Sequence, residues 1–405
     1  MRGMRADKSA RTTAATVIAA VALVCIGAYA WSLFTRPAAV PLESIIIDET
    51  EQGLSVATKT AILRAQEALK NKPDDVKAIF ALAGAYLQAV RENADTAYYA
   101  RVESLLQNAE RTDAGNPEIA FLRGNIAAGR HDFATALKHA RPLVRNYPQI
   151  PRYFGLLADA QIELGMYEEA AVTLQTMADL RPDYGVYTRV AYLREIHGDL
   201  NGAMEMMREA LDANSGIAEN IAWTLTELGR LTLERNATEA DGYYDGALAA
   251  YPDFAPALAG KAKVALKNKD TAAAKIHLER ALDILPLPEY ASLLGDMYAA
   301  EGNTQKAAVY FRLVEVGFDR IAQSGTNVDL ERAKFLLEHD RNLALAHELA
   351  LRVYASRPTI YAADVLALSY YKKGNNEEAK AFRKKALLTG TLDPVIRKHA
   401  GIIGE

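Results

Sequence analysis

The side chains that most often carry chemistry are few and scattered in this sequence. There is one cysteine, Cys25, so neither an intramolecular disulfide nor a CxxC zinc or redox pair can form. It lies inside an apolar run, where it reads as a small packing side chain, and Val24 before it is not the small residue of a bacterial lipidation signal. Of the seven histidines, His339 and His347 sit eight residues apart and could share a helical face. Asp340 and Arg341 beside a predicted turn make that pair read as solvated surface instead of a ligand or a general base. No phosphate loop G-x-x-x-x-G-K-[ST], no G-x-G-x-x-G after a strand, no H-E-x-x-H helix and no G-x-S-x-G elbow occurs. The expectation is therefore no catalytic residue, no metal ligand, no cofactor and no enzymatic activity of this chain itself.

The charge balance narrows the partners. A net charge of -4, with 47 basic and 51 acidic residues interleaved along helix faces, offers no broad basic field for phosphates, and nucleic acid is not expected. Residues 1–13 form a basic N-terminus with Arg2, Arg5, Lys8 and Arg11. From Ala14 to Phe34 no charge occurs, and a helix of that length spans about 31 Å, enough to cross a bilayer. Arg36 alone follows closely before Glu43, Asp48, Glu49 and Glu51. The positive-inside rule then predicts a single-pass anchor at 14–34, a cytoplasmic N-terminus and everything beyond it extracytoplasmic (periplasmic). Tyr29 and Trp31 suit an interfacial belt. Ala28-Tyr29-Ala30 also matches a signal-peptidase site, although the apolar residues Trp31, Leu33 and Phe34 beyond it favour an uncleaved anchor. Pro37 and Pro41 mark an extended linker over 35–54, in which Ile45-Ile46-Ile47 reads either as a cap for the first exposed apolar face or as a docking strand for a partner.

The rest of the chain repeats on a 34-residue ruler. One window carries Leu157-Ala158, Gly165, Tyr167, Ala170, Leu174 and Pro182; another carries Ala262, Lys269 in place of the turn glycine, Ala274, Leu278, Ala281 and Pro286. Later windows give Leu294-Gly295, Tyr298, Gly302, Ala307 and Phe311, then Leu366-Ala367, Tyr370, Gly374, Ala379 and Ala386. Ala158, Ala170 and Ala274 belong where two antiparallel helices cross and a larger side chain would overpack the contact. Gly165, Gly198, Gly302 and Gly374 fall where the first helix must end in a left-handed residue. Pro148, Pro182, Pro252, Pro286 and Pro358 stop each second helix. One such hairpin cannot bury its apolar faces, but a stack can.

This pattern resembles the tetratricopeptide repeat (TPR) family over Val76 to Thr391. The resemblance implies an all-α, right-handed superhelical solenoid of about nine helical hairpins over 55–391. A half-repeat helix at Ser55–Lys70 would open it and a C-terminal stub helix within 392–405 would follow it. The family's first-helix tryptophan is replaced by residues such as Phe154, Leu258 and Ser292. The Leu285–Tyr298 stretch and the tail His399-Ala400-Gly401-Ile402-Ile403 also look like a group of exported TPR proteins. Three irregularities stand out: Arg91–Tyr98 is longer than a tight turn, Thr112–Pro117 adds a few residues, and the pattern from Thr304 to Gln323 overruns before Gly325-Thr326-Asn327. Asn327 or Asp329 is then expected to cap the next helix.

The family binds partners along its concave face, at first-helix positions 2, 5, 9 and 12. Carried onto this sequence, those positions are Phe80, Leu87, Phe121, Asn125, Arg152, Asp159, Tyr192, Lys263, Asp296, Tyr361 and Tyr371. They make a mixed aromatic and charged surface suited to an extended peptide or a helix. The lysine–asparagine clamp with which some relatives grip chaperone C-termini is not reproduced, because the position that would accompany Asn125 holds Phe121. The function expected is a membrane-anchored scaffold or assembly factor that binds other proteins, as part of an extracytoplasmic membrane complex. The alternatives are a periplasmic chaperone holding an unfolded client such as an apocytochrome, or an accessory subunit of an envelope or polysaccharide enzyme.

Overall fold

The structure is a computed structural model that describes residues 53–214 and 216–404. The basic N-terminus, the 14–34 segment, the Ala28-Tyr29-Ala30 site and the Ile45-Ile46-Ile47 run lie outside the described residues. Among the described residues, no helix is long and apolar enough to cross a membrane.

Twenty helices follow one another with no strand among the described residues. Helix α1 (Val56–Asn71) is followed by nine antiparallel pairs, and the pairing is that of the 34-residue ruler. These are α2–α3 (Val76–Asn93, Ala97–Thr112), α4–α5 (Pro117–Gly129, Phe133–Asn146), α6–α7 (Pro151–Glu163, Tyr167–Leu180), α8–α9 (Tyr184–Ile196, Leu200–Asp212) and α10–α11 (Ala218–Thr232, Ala237–Ala250). Then come α12–α13 (Ala255–Lys267, Thr271–Ile284), α14–α15 (Pro288–Ala300, Thr304–Gln323), α16–α17 (Asp329–Glu338, Leu343–Ser356) and α18–α19 (Ile360–Lys372, Asn376–Ala386), with α20 (Pro394–Ile403) last.

In four of the hairpins, α4–α5, α8–α9, α12–α13 and α14–α15, the turn has one chemical signature: a left-handed residue ends the first helix, and an Asp or Asn next to it caps the second. Gly198 (φ 76°) is followed by Asp199, whose carboxylate accepts the Gly202 N–H at 2.9 Å. Gly302 (φ 75°) is likewise followed by Asn303, which accepts the Lys306 N–H at 3.1 Å. Lys269 holds the same conformation at φ 60° without being glycine, as its place in the repeat required, and Asp270 caps the Ala273 N–H at 2.9 Å. The side-chain cap satisfies an amide that the helix start leaves open. The alanines at the helix crossings, Ala158, Ala170 and Ala274, are fully buried.

Of the irregularities, the Arg91–Tyr98 stretch resolves differently from its reading in sequence and the Thr304–Gln323 overrun as read. The extra residues after Arg91 extend α2 to Asn93, so the turn itself is only Ala94–Thr96, with Ala94 at φ 52°. The overrun of α15 is real, at 20 residues, and its second half buries Val314 and Phe318 in one cluster with Ala333 and Phe335 of α16. Asn327 accepts the Asp329 N–H at 2.9 Å, while Val328 occupies the N-cap position. The last helix, Pro394–Ile403, lies within the 392–405 segment and buries Ile396, His399, Ala400 and Ile403.

The stack also closes on itself. Tyr167 Oη accepts the Ile360 N–H at 3.1 Å and Thr389 Oγ1 donates to Ile196 O at 2.6 Å, both across 193 residues. Asn327 N donates to Arg130 O at 3.0 Å, and Asn327 O meets His131 Nδ1 at 2.8 Å. The buried Arg357 pairs with Glu163 at 3.5 Å. A single apolar cluster joins Phe154, Tyr167, Val186 and Ile196 to Ile360, Ala363, Ala386 and Ile396. Hairpins three and four thus form a seam with the ninth hairpin and α20, and the seam is a hydrophobic core instead of a few surface contacts. Gly165 and Gly198 serve it twice: each takes positive φ, and a Cβ there would lie 2.8 Å from Pro358 O or 2.5 Å from Gly390 O.

Candidate functional site on the concave wall

First helices of successive hairpins line the inner wall, and between α2, α6, α8, α10 and α12 the wall deepens into a cavity of ≈640 Å³. A second cavity of ≈450 Å³ adjoins it, and Tyr184, Arg189 and Asn220 border both. Of the expected residues, Asp159 and Tyr192 line the larger cavity, and Phe121, Asn125 and Arg152 line the smaller.

These residues hold one another in place. Arg189 grips Asp159 with two hydrogen bonds of 2.7 Å and donates to Gly185 O at 2.8 Å. Its guanidinium has room because position 155 is glycine, where a Cβ would come to 3.2 Å from Cζ. Arg152 forks onto Glu118, 34 residues earlier, at 3.2 and 2.5 Å, and lies 4.9 Å from the Phe121 ring centre. Such forked pairs fix direction as well as charge. Burial nonetheless pushes the Glu118 carboxyl up, outweighing Arg152. Asn125 is turned back on its own helix, donating to Phe121 O at 2.8 Å. Tyr192 donates to Glu163 at 3.2 Å and packs against the same apolar cluster as Tyr361 at the seam, and burial holds its hydroxyl well above the usual value.

The far wall of the larger cavity carries Glu219, which is 8% exposed, together with Glu92, Trp223 and Tyr251. Gln88 Nε2 donates to Glu92 at 3.1 Å and to Glu219 at 3.4 Å, so the first hairpin reaches across to the fifth. Glu92 also accepts from Ser55 N at 2.7 Å, Ser55 Oγ at 3.0 Å and Thr58 Oγ1 at 2.7 Å. Every one of these donors is neutral. Burial first, then Glu92, Asp253 and Glu219, push the Tyr251 hydroxyl up to about 12.

The remaining expected residues fall elsewhere. Phe80 and Leu87 are half-buried on α2, outside both cavities. Lys263 pairs with Glu289 at 3.1 Å on an exposed face, and Tyr371 packs into the core around α17 and α18. Tyr361 lies at the seam. Asp296 is taken by His339, whose Nε2 stands 2.8 Å away. That pair corrects the reading of His339 as solvated surface. Its side chain is 13% exposed, and its ring packs 4.5 Å from Phe335 and 4.8 Å from Phe311. Burial opposes its charge, yet Asp296, the Phe335 carbonyl and Glu338 together raise its pKa. His347 instead meets Ser369 Oγ at 3.0 Å.

Sequence reasoning missed Arg189, Trp223, Glu219, Tyr251 and Glu92. The first two carried a signal, because Phe121, Gly155, Arg189 and Trp223 stand 34 residues apart at one repeat position. Tyr251 precedes α12 and Glu92 ends α2, so neither sits at a first-helix groove position.

No protein-family model matches the sequence. No curated protein matches it either. Solved structures do resemble it in fold. The human IFIT1 dimer with m7Gppp-AAAA is 15% identical, with a TM-score of 0.50 over 82% of this chain and 77% of that one. Cut9, in the APC/C hetero-tetramer Cut9–Hcn1, is 13% identical with a TM-score of 0.49 over 90% of this chain. This chain spans 62% of the Cut9 chain's length. TTC0263, a TPR protein of Thermus thermophilus, is 18% identical with a TM-score of 0.40, over 45% of this chain and 99% of that one. At such identities the likeness concerns fold alone, and the fold is a TPR-like helical solenoid.

Proposed function

We propose that the chain is a protein-interaction scaffold whose concave wall holds an extended segment or a helix of a partner protein. The observation that carries this reading is the continuous wall of the two joined cavities, where aromatic and charged side chains from successive first helices are already fixed by their neighbours. A pre-arranged wall lowers the ordering cost of binding. The larger cavity presents four carboxylates and two guanidiniums among its lining residues. That balance disfavours a phosphate-bearing end such as the one in the IFIT1 structure. In the same reading the 14–34 segment tethers the solenoid to a membrane with the repeats on the extracytoplasmic side, where tethering raises the local concentration of the scaffold beside a membrane complex.

A photo-cross-linking residue at Trp223 or Phe121, in native membranes, should capture the same membrane-complex subunit. One at the exposed convex Ile276 should not. Equal capture from both faces, or none from the concave positions, would refute the groove as the binding surface. Protease added to spheroplasts should degrade the repeats; their protection would overturn the exported topology.

A further inference from the structure

We propose that the larger cavity receives a cationic side chain, lysine or arginine, carried by an extended segment of the partner protein. This deepens the scaffold reading and rests on it. Charge bookkeeping inside the cavity is incomplete as it stands. Asp159 is taken by Arg189, and Asp253 by Arg280 at 3.0 Å. Glu92 and Glu219 are left joined through the neutral amide of Gln88, and among the described residues no lysine, arginine or histidine forms an ion pair with either; Arg91, the other guanidinium in the lining, offsets one of their two charges and leaves the cavity one negative charge in excess. A carboxylate as buried as Glu219 loses much of its hydration, and a neutral donor restores only part of what a counter-charge would supply. The N-terminus of α10 offsets Glu219 in part, since Glu219 lies in its first turn. For Glu92, in the last turn of α2, the helix dipole has the opposite sense.

The walls suit a cation as well as its charge. Tyr184, Trp223 and Tyr251 present ring surfaces in the same cavity as the two carboxylates. Aromatic faces attract ammonium and guanidinium groups, most strongly where water is displaced. Their bodies would also cover the aliphatic stem of the incoming side chain. The opening continues past Tyr184, Arg189 and Asn220 into the second cavity, whose Arg152 and Arg181 are already paired with Glu118 and Asp183. A chain lying along the wall would therefore meet an unsatisfied negative site in the first cavity and a balanced surface in the second.

The test uses the full-length protein in detergent with Trp31→Phe, which leaves Trp223 as its one indole. Four blocked heptapeptides, Ser-Gly-Ser-X-Ser-Gly-Ser with X as lysine, arginine, norleucine or glutamate, are titrated against Trp223 emission. The lysine and arginine peptides should give saturable changes that weaken as salt is added, with the norleucine and glutamate peptides at least tenfold weaker. Glu219→Gln and Glu92→Gln, each checked by thermal melting, should each cost the cationic peptides about tenfold. Equal binding of norleucine, preference for glutamate, no saturable change with any peptide, or indifference to both substitutions would overturn the proposal. Equal binding of all four peptides would leave the concave wall as a peptide site and remove only its charge selectivity. Failure of the scaffold reading itself would appear instead as absence of concave cross-links.

Discussion

His399 shows how one residue can escape sequence reading. Nothing in its tail distinguished it from a surface histidine, yet it is 2% exposed, with Nδ1 at 2.8 Å from Asp364 and Nε2 at 3.5 Å from Glu338. Burial alone would depress its pKa; the two carboxylates overcome that and raise it to about 9. Asp364 is itself pushed up, since burial outweighs the His399 bond; at Glu338 burial also pushes up, but the hydrogen bond to His399 and the charges of Lys334, His399 and His339 together outweigh it and lower the carboxyl. A folded-state pKa raised above the unfolded value stabilises fully below about 6.5 and loses that stabilisation as pH rises through about 9. The docking of α20 should thus weaken across that interval by up to about 3 kcal/mol. Protection factors of residues 394–403, with the intrinsic base-catalysed exchange rate divided out, should fall over the same range, and His399→Gln should abolish that fall. Constant protection factors in the unsubstituted protein would contradict it. The inner wall was partly legible for a related reason: positions tied to the repeat, such as Phe121 and Asp159, line the two cavities. Asp296 and Tyr361 found partners 43 residues away or across the seam, which no local spacing encodes.

At the scale of helices the sequence was far more transparent. Small residues, turn glycines and stopping prolines recur because each has one mechanical task, and the hairpins form where those tasks coincide. Ala170, fully buried, is the sharpest test of that register. Ala170→Trp should destabilise the α6–α7 hairpin through overpacking by about 1–3 kcal/mol or more, seen as a lowered or broadened melting transition. An unchanged profile would mean the crossing lies elsewhere. Where local reading went astray, as with the Arg91–Tyr98 stretch, the residues expected in a loop instead continued a helix. Glu92 on that extension reaches the start of α1 and accepts from Gln88, one turn earlier, which reaches Glu219 of α10, so tertiary contacts support the added residues.

Over the whole molecule, the seam is what the repeat pattern could not announce, because its partners are separated by more than five repeats. Removing the Tyr167 hydroxyl leaves the buried Ile360 amide without its acceptor, at a cost of about 1–3 kcal/mol. Tyr167→Phe should therefore loosen the seam, and Gly198→Val, which adds both backbone strain and a clash with Gly390 O, should open it further. Small-angle scattering should report a larger radius of gyration for the second variant, and unchanged dimensions would argue against a closed stack. The seam's hydrogen bonds recur at a nearly constant separation, 193 residues at two places and 196 at a third. Solenoids ordinarily gain or lose a repeat with little penalty, since each unit touches only its neighbours. Here that freedom is curtailed: an insertion or deletion of one hairpin between residues 198 and 325 would shift every seam partner by a full unit, so the copy number of this segment is held by contacts that no single repeat contains.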